Sequence, residues 1–236
     1  MKITMFGHKR IPSREGGVEI VVEQLAVRMA ALQQLPTVYV MTHDSIAVGE
    51  DGPTHQPIEQ IAMLRSIVNM HTLHPCDANE TVACWRVAME TTDCPSAIIL
   101  TRQNVTNLAT TSYEGVKHGA YVVGKEKERI DVILMASGSE VGLAMQAKEE
   151  LAKEGIDARV VSMPCANLFD KQEAKYQEQV LPRSIRKRVS IEMATPFGWH
   201  KYVGLDGKVI SVETYGASAP ADKVIAEYGF TVENVV

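Results

Sequence analysis

Two imidazoles and three carboxylates stand close together between Thr42 and Pro57, in Thr-His-Asp-Ser-Ile-Ala-Val-Gly-Glu-Asp-Gly-Pro-Thr-His-Gln-Pro. Imidazoles exchange protons near neutrality, so His43 and His55 are candidates for acid, base or donor work. Asp51 precedes Gly52 and Pro53, a tight-turn context that exposes its carboxylate. The same residue types also furnish plain surface turns, but here they are unusually dense. A second candidate, Arg102, lies in Thr-Arg-Gln-Asn.

The elements that must position these groups can be read on either side. Val38 to Met41 is an apolar run that predicts a strand, which places His43 in a loop at its carboxyl end. In open α/β sheets such loops hold the ligand. Ser96 to Leu100 predicts another strand, and it delivers Arg102 in the same relative position. Pro57 reads as a first helical residue, with Ile58, Ile61, Ala62 and Arg65 following at helical spacing. Asp77 to Glu80, preceded by Pro75, forms a capping-box start, and Val82, Trp85 and Met89 supply the expected apolar face.

Upstream, Lys2 to Phe6 predicts a strand, and Gly7 to Gly17 a loop with His8, Lys9, Arg10 and Arg14. Val18, Val21, Val22, Leu25, Met29 and Leu32 then predict one buried face of an amphipathic helix. The loop is either half of a phosphate-binding unit or a plain connection. Downstream, Asn104 to Lys117 loses periodicity and reads as a linker. Gly119 to Val123 opens a new unit, with a strand at Val132 to Ala136. A helix follows, with Val141, Ala144, Met145, Leu151 and Ala152 inward and Gly155 as its stop. Ala158 to Ser162 then completes a βαβ pattern. Ser137-Gly138-Ser139-Glu140 is either a helix cap or an anion site. Strands near Val189 to Ile191 and Val209 to Val212, and a helix from Ala219 to Tyr228, finish the chain.

With 236 residues, 45% of them hydrophobic, the chain can bury one large core or two small ones. A net charge of -5 leaves no nucleic-acid footprint. No run approaches the roughly 18 apolar residues of a membrane span, and the N-terminus lacks a signal-peptide core. The expectation is a cytoplasmic protein with neither nucleic-acid nor membrane partners. Cys76, Cys84, Cys94 and Cys165 lack metal-ligand spacing and read as buried or half-buried thiols, with Cys165 at a loop position.

Thr-His-Asp-Ser followed by Gly-Glu-Asp-Gly-Pro-Thr-His-Gln-Pro resembles the signature of transketolases, within their pyrimidine-binding domain. The likeness begins near Ala26, in Val-Arg-Met-Ala-Ala-Leu, and runs to Val236. Residues 1–25 resemble instead the N-terminus of retaining glycosyltransferases with two Rossmann domains, so the chain reads as a fusion. The implied fold is two three-layer α/β domains with mainly parallel sheets: a truncated pyrimidine-binding domain over 1–115 and a C-terminal domain over 116–236.

In that family thiamine diphosphate, held with a divalent cation (Mg or Ca), carries a two-carbon ketol unit between sugar phosphates. The resemblance implies that His43 and Arg102 contact the substrate phosphate, which suits a guanidinium able to grip oxygens in pairs. It implies further that Asp51 accepts from the hydroxyl beside the acceptor carbonyl, and that His55 is catalytic, near the reacting carbons. The family's Gly-Asp-Gly and Asn metal ligands are not matched, and Glu50-Asp51-Gly52 is not their equivalent. Nor is the glutamate that activates the aminopyrimidine, since Glu19, Glu23 and Glu59 lack its Arg-Glu-x-Gly-Met context. The chain alone is therefore expected to be inactive and not to bind the cofactor by itself, with its cofactor-binding residues unassigned and no metal ligands. It would need a companion chain bearing the diphosphate domain, or a homodimer. The alternatives are a non-catalytic folded remnant or chimera and, on 25 residues alone, a glycosyltransferase.

Overall fold

A computed structural model describes the backbone of residues 17–236 and side chains from residue 25 onward. The expected strand Lys2 to Phe6, the basic loop after it and most of the glycosyltransferase-like segment lie outside the described residues.

Among the described residues the strands form two sheets. The first holds β1 (Val38–Thr42), β2 (His71–Leu73) and β3 (Ser96–Leu100) in the order β1-β3-β2, all parallel. In the second, β4 (Tyr121–Gly124), β5 (Val132–Ala136), β6 (Ala158–Ser162), β7 (Arg188–Ile191) and β8 (Lys208–Ile210) run in the order β4-β6-β5-β7-β8, with β4 antiparallel. This is the expected mixed α/β class with mainly parallel sheets. Apolar runs without alternation mark strands covered on both faces. Accordingly β6 is buried along its length, and Ile98, Leu134 and Met135 are fully buried. Each such side chain contributes roughly 1.5–3 kcal/mol.

The first five helices are α1 (Gly17–Leu32), α2 (Gln60–Arg65), α3 (Ala78–Glu90), α4 (Tyr113–Lys117) and α5 (Glu140–Lys153). After them come α6 (Ala166–Phe169), α7 (Ala174–Val180), α8 (His200–Val203), α9 (Ala221–Glu227) and α10 (Val232–Val235). None among the described residues is long and apolar enough to cross a membrane.

Two buried faces differ from the expectation. In α1 the core takes Val27, Ala30 and Ala31, while Leu25, Met29 and Leu32 are exposed, Leu25 at 55%. In α3 it takes Ala83, Cys84, Val87 and Ala88, and Val82, Trp85 and Met89 face outward. In both helices the core-facing residues are small, which lets the helix axis approach its neighbours closely and pack without voids. Side-chain size along one stripe therefore misidentified the inner face. In α5, Val141, Ala144 and Leu151 are inward as expected, but Ala147 takes the place assigned to Ala152, and Met145 is half-buried. Helix α2 starts at Gln60, so Pro57 precedes it rather than opening it.

Asp77 caps α3 as expected, accepting from the Glu80 N–H at 2.7 Å. Glu80 does not close the box on Asp77. Fully buried, it accepts from the Cys76 N–H (2.8 Å), Tyr121 OH (2.7 Å) and Ser162 Oγ (2.6 Å), tying α3 to β4 and β6. The expected linker is irregular only to Ser112, which caps α4 over its last five residues. Asp77 pins this stretch too, accepting from the Leu108 N–H (2.9 Å) and Thr111 Oγ1 (2.8 Å). All four cysteines are free and buried, and Cys165 is, as expected, a loop residue, the one that precedes α6. One apolar cluster crosses between the sheets, joining Ile46, Ile58, Leu73 and Ile98 to Leu134, Ile191, Val212 and Phe230.

Candidate functional site

Thr42 lies opposite Leu100 in the parallel pairing of β1 with β3. His43 and Arg102 therefore leave neighbouring strands at the same edge of the first sheet, both exposed. His43 has a φ of +69°, left-handed backbone that few non-glycine residues take. Its Nδ1 is hydrogen-bonded to Thr42 Oγ1.

Asp51 and His55 follow on the same loop, and both are exposed. Ile46–Asp51 forms a short 3-10 segment whose Ser45 Oγ accepts from the Ala47 N–H at 3.3 Å. His55 Nδ1 lies 3.0 Å from Thr54 Oγ1. A clasp from the C-terminal part holds the loop in place. Gln56 Nε2 donates to Gly49 O (2.8 Å) and Ala217 O (2.9 Å), and Ser218 Oγ donates to Glu50 O (2.6 Å). Strand register thus places His43 and Arg102 at the same end of adjacent strands, while Asp51 and His55 ride on the clasped turn. None of the four hydrogen-bonds another among the described residues.

Beneath this edge lies a buried polar network. His74 Nε2 donates to Asp44 Oδ2 at 2.8 Å, and its Nδ1 meets Ser137 Oγ at 2.9 Å. Ser137 Oγ donates to Glu192 Oε1 (2.5 Å) and accepts from Arg65 Nη2 (3.1 Å). Arg65 grips Glu192 with both terminal nitrogens, at 2.7 and 2.8 Å, and Trp199 Nε1 adds a fourth donor at 2.7 Å. Glu140, also buried, accepts from the Met193 N–H at 2.6 Å. With its one proton given to Glu192, the Ser137 hydroxyl can only accept from His74. Both ring nitrogens of His74 then donate, which makes it an imidazolium.

The electrostatics agree with that assignment. Burial by itself would lower the His74 pKa, but hydrogen bonds to Asp44 and Glu192 raise it to about 10. Burial would likewise raise Glu192, yet the Arg65 charge and His74 hold it well below the usual carboxylate range. Glu140 goes the other way: burial and then the Asp44 charge lift it to about 7. The Ser137-Gly138-Ser139-Glu140 corner starts α5, with Ser139 at the N-cap position. Ser139 makes no side-chain cap bond; its Oγ accepts from Gln103 Nε2 at 2.8 Å.

None of His74, Ser137, Arg65 or Glu192 was singled out for the site from the sequence. The usable signal was a charged residue in an apolar context, Leu73-His74-Pro75 and Val189-Ser190-Ile191-Glu192, because ionisable side chains are rarely buried unless paired. Gly138 is part of the same device. It has a φ of +60°, and a Cβ there would stand 2.3 Å from His74 Nε2. Gly138→Ala is expected to cost about 2–5 kcal/mol, from left-handed strain and from overlap with a side chain that has no room to retreat. Thermal unfolding checks this; an unchanged midpoint would refute it.

Among the described residues no group of three or more His, Cys, Asp or Glu side chains is placed to hold a metal ion. What they can supply is a cationic and hydrogen-bonding surface at the edge of the first sheet.

Comparison with known proteins agrees with this architecture. Residues 18–107 match the model of the transketolase pyrimidine-binding domain, and residues 119–231 that of the transketolase-like C-terminal domain. The first match begins before Ala26 and leaves residues 1–17 outside it; neither match points to a glycosyltransferase. Transketolase of Geobacillus stearothermophilus is 54% identical over 215 residues, covering 89% of this chain and 32% of that protein. The structure of transketolase from Leishmania mexicana superposes with a TM-score of 0.85 at 44% identity, over 89% of this chain and 31% of that one. The chain thus spans about a third of the length of these relatives. A split-gene transketolase, solved as an inactive β4 tetramer, shares the fold alone, at 23% identity and a TM-score of 0.74, over 92% of this chain and 70% of that one.

Proposed function

The chain is built from two transketolase-family domains, a pyrimidine-binding domain and a C-terminal domain, and we propose that together they form the sugar-phosphate side of a ketol-transferring site. The observation that carries this reading is that His43 and Arg102 follow, by one and two residues, the paired ends Thr42 and Leu100 of adjacent parallel strands. In it Arg102 grips two phosphate oxygens and His43 donates to a third. Asp51 accepts from a sugar hydroxyl, and His55, steadied by Thr54, stands toward the reacting carbons as the group that exchanges a proton with a developing alkoxide. The domain division at 115/116 belongs to the same proposal, supported by the two separate sheets and the two separate family matches.

Ketol transfer itself is assigned to an assembly. Thiamine diphosphate, which supplies the carbanion chemistry in the family, and its divalent cation would be held by a companion chain or a second copy, and this chain alone would be inactive. The inactive β4 tetramer of a split-gene transketolase supports that view by fold likeness. So does the exposed Leu25, Met29 and Leu32 face of α1, since apolar side chains left together in water suit an interface.

Calorimetric titration tests the reading. Ribose 5-phosphate is expected to bind the full chain and ribose far more weakly. Arg102→Ala should reduce the affinity for the phosphate by about 10–100-fold, the worth of one or two hydrogen bonds to charged groups. Equal affinity in the variant and the parent would refute it.

A further inference from the structure

We propose that His74 positions His43 for phosphate, holding the His43 backbone from beneath through Asp44; the inference rests on the sugar-phosphate reading above. His43 is exposed, and its left-handed φ of +69° is a conformation that a side chain bearing a Cβ rarely keeps unaided. Its own hydrogen bond goes to the adjacent Thr42, which is too local to fix the backbone against the rest of the fold.

The next residue supplies the restraint. Asp44 is 3% exposed; its Oδ2 accepts from His74 Nε2 at 2.8 Å, and its Oδ1 accepts from Ser45 Oγ at 3.1 Å. Ser45 in turn starts the 3-10 segment. The direction in which His43 leaves β1 is therefore set by where Asp44 is held, and Asp44 is held by His74.

His74 cannot give way. Its N–H donates to Pro164 O at 2.8 Å, its carbonyl accepts from the Gly138 N–H at 3.1 Å, and its Nδ1 faces Ser137. The Gly138 backbone closes against the ring so tightly that no Cβ fits. The ring thus transmits the position of the β5 end to the loop after β1. The other arm hangs from the same place, because Gln103, next to Arg102, donates to Ser139 Oγ at 2.8 Å. Residues Ser137 to Ser139 therefore carry both arms of the phosphate clamp, one directly and one through His74. A histidine suits the bridging position because a small ring offers two donors on different edges, one toward Asp44 and one toward Ser137 and Glu192.

The test uses the full chain with His74→Leu, which removes both donors, and His74→Gln, which keeps an amide of similar reach. Two quantities are read: the dissociation constant for ribose 5-phosphate, with ribose as control, and the φ of His43 in crystals of each variant. In His74→Leu, His43 is expected to leave left-handed backbone and the affinity for ribose 5-phosphate to fall about tenfold. His74→Gln should recover most of both, a rescue that general loss of packing would not produce. Wild-type φ and affinity in a folded His74→Leu would overturn the proposal. Should that variant not fold, His74→Gln decides alone: a two- to fivefold loss, on the order of one weakened hydrogen bond, supports it, and unchanged φ and affinity overturn it. His43→Ala, run in parallel, separates the two claims. If it leaves phosphate binding intact, the sugar-phosphate reading fails, and the φ of His43 in the His74 variants still decides whether His74 positions it.

Discussion

Arg65→Ala is expected to cost the chain about 3–5 kcal/mol of stability, the usual loss when one partner of a buried ion pair is removed. The Arg65 side chain is 13% exposed and that of Glu192 2%, so water cannot replace the missing guanidinium. Glu192 would keep Trp199 and Ser137 as donors but lose its two strongest. The contact of Arg65 with the Trp199 ring, 5.5 Å from its centroid, would go as well. Against a typical stability of about 5–15 kcal/mol, such a loss leaves a marginal protein. Urea unfolding followed by near-UV circular dichroism measures it, and a midpoint unmoved by Arg65→Ala would refute the account. Two comparisons sharpen the result. Arg65→Met combined with Glu192→Leu should recover part of the loss, because the desolvation of both charges is removed together. Lys153→Ala should leave the midpoint unchanged, since the Lys153–Glu150 pair, at 2.6 Å, lies in solvent.

The second large effect concerns pH. Glu140 has a folded-state pKa raised from 4.5 to about 7, by burial and then by the charge of Asp44. Between these values the folded chain keeps a proton that the unfolded chain has released, so Glu140 lowers stability as pH rises through this window. The total is on the order of 3 kcal/mol. His71 acts in the opposite direction. Burial and then the Lys171 charge lower it from 6.5 to about 4, so over that range the unfolded chain takes up a proton that the folded chain refuses, and stability increases with pH.

The parent should therefore show little slope from these two groups between pH 4.5 and 6.5, and Glu140→Gln should expose a rising one. The other members of the network act outside this range. Glu192, depressed, loses its contribution only as pH falls below 4.5, and His74, raised, loses its own only from 6.5 up through about 10. The variant shares every other group with the parent, so the difference between their urea midpoints isolates Glu140. That difference should grow in favour of the variant from pH 4.5 to 7.5; a constant difference would refute the assignment.

Whatever depends on neighbours along the chain was legible in the amino-acid sequence. Val132 to Ala136 and Ala158 to Ser162 are strands with the expected bounds, because an uninterrupted apolar run between polar turns has few other ways to bury itself. The cap at Asp77 is local hydrogen-bond chemistry and could be read three residues ahead. The loop that carries His43, Asp51 and His55 announced itself by composition, and the strand before Arg102 by its apolar run.

Tertiary structure decided what depends on distant partners. Strand β2 and helices α6 and α8 are three or four residues long, too short to show a period, and packing alone defines them. The buried faces of α1 and α3 fall on small residues because close approach outweighs the size of Leu25 or Trp85, and only the neighbouring elements set that approach. Arg65 and Glu192 stand 127 positions apart, and His74 and Ser137 stand 63 apart. Each alone is an unexplained polar residue. The energy that makes them a support for the site exists only once folding removes water and brings the charges within hydrogen-bond reach.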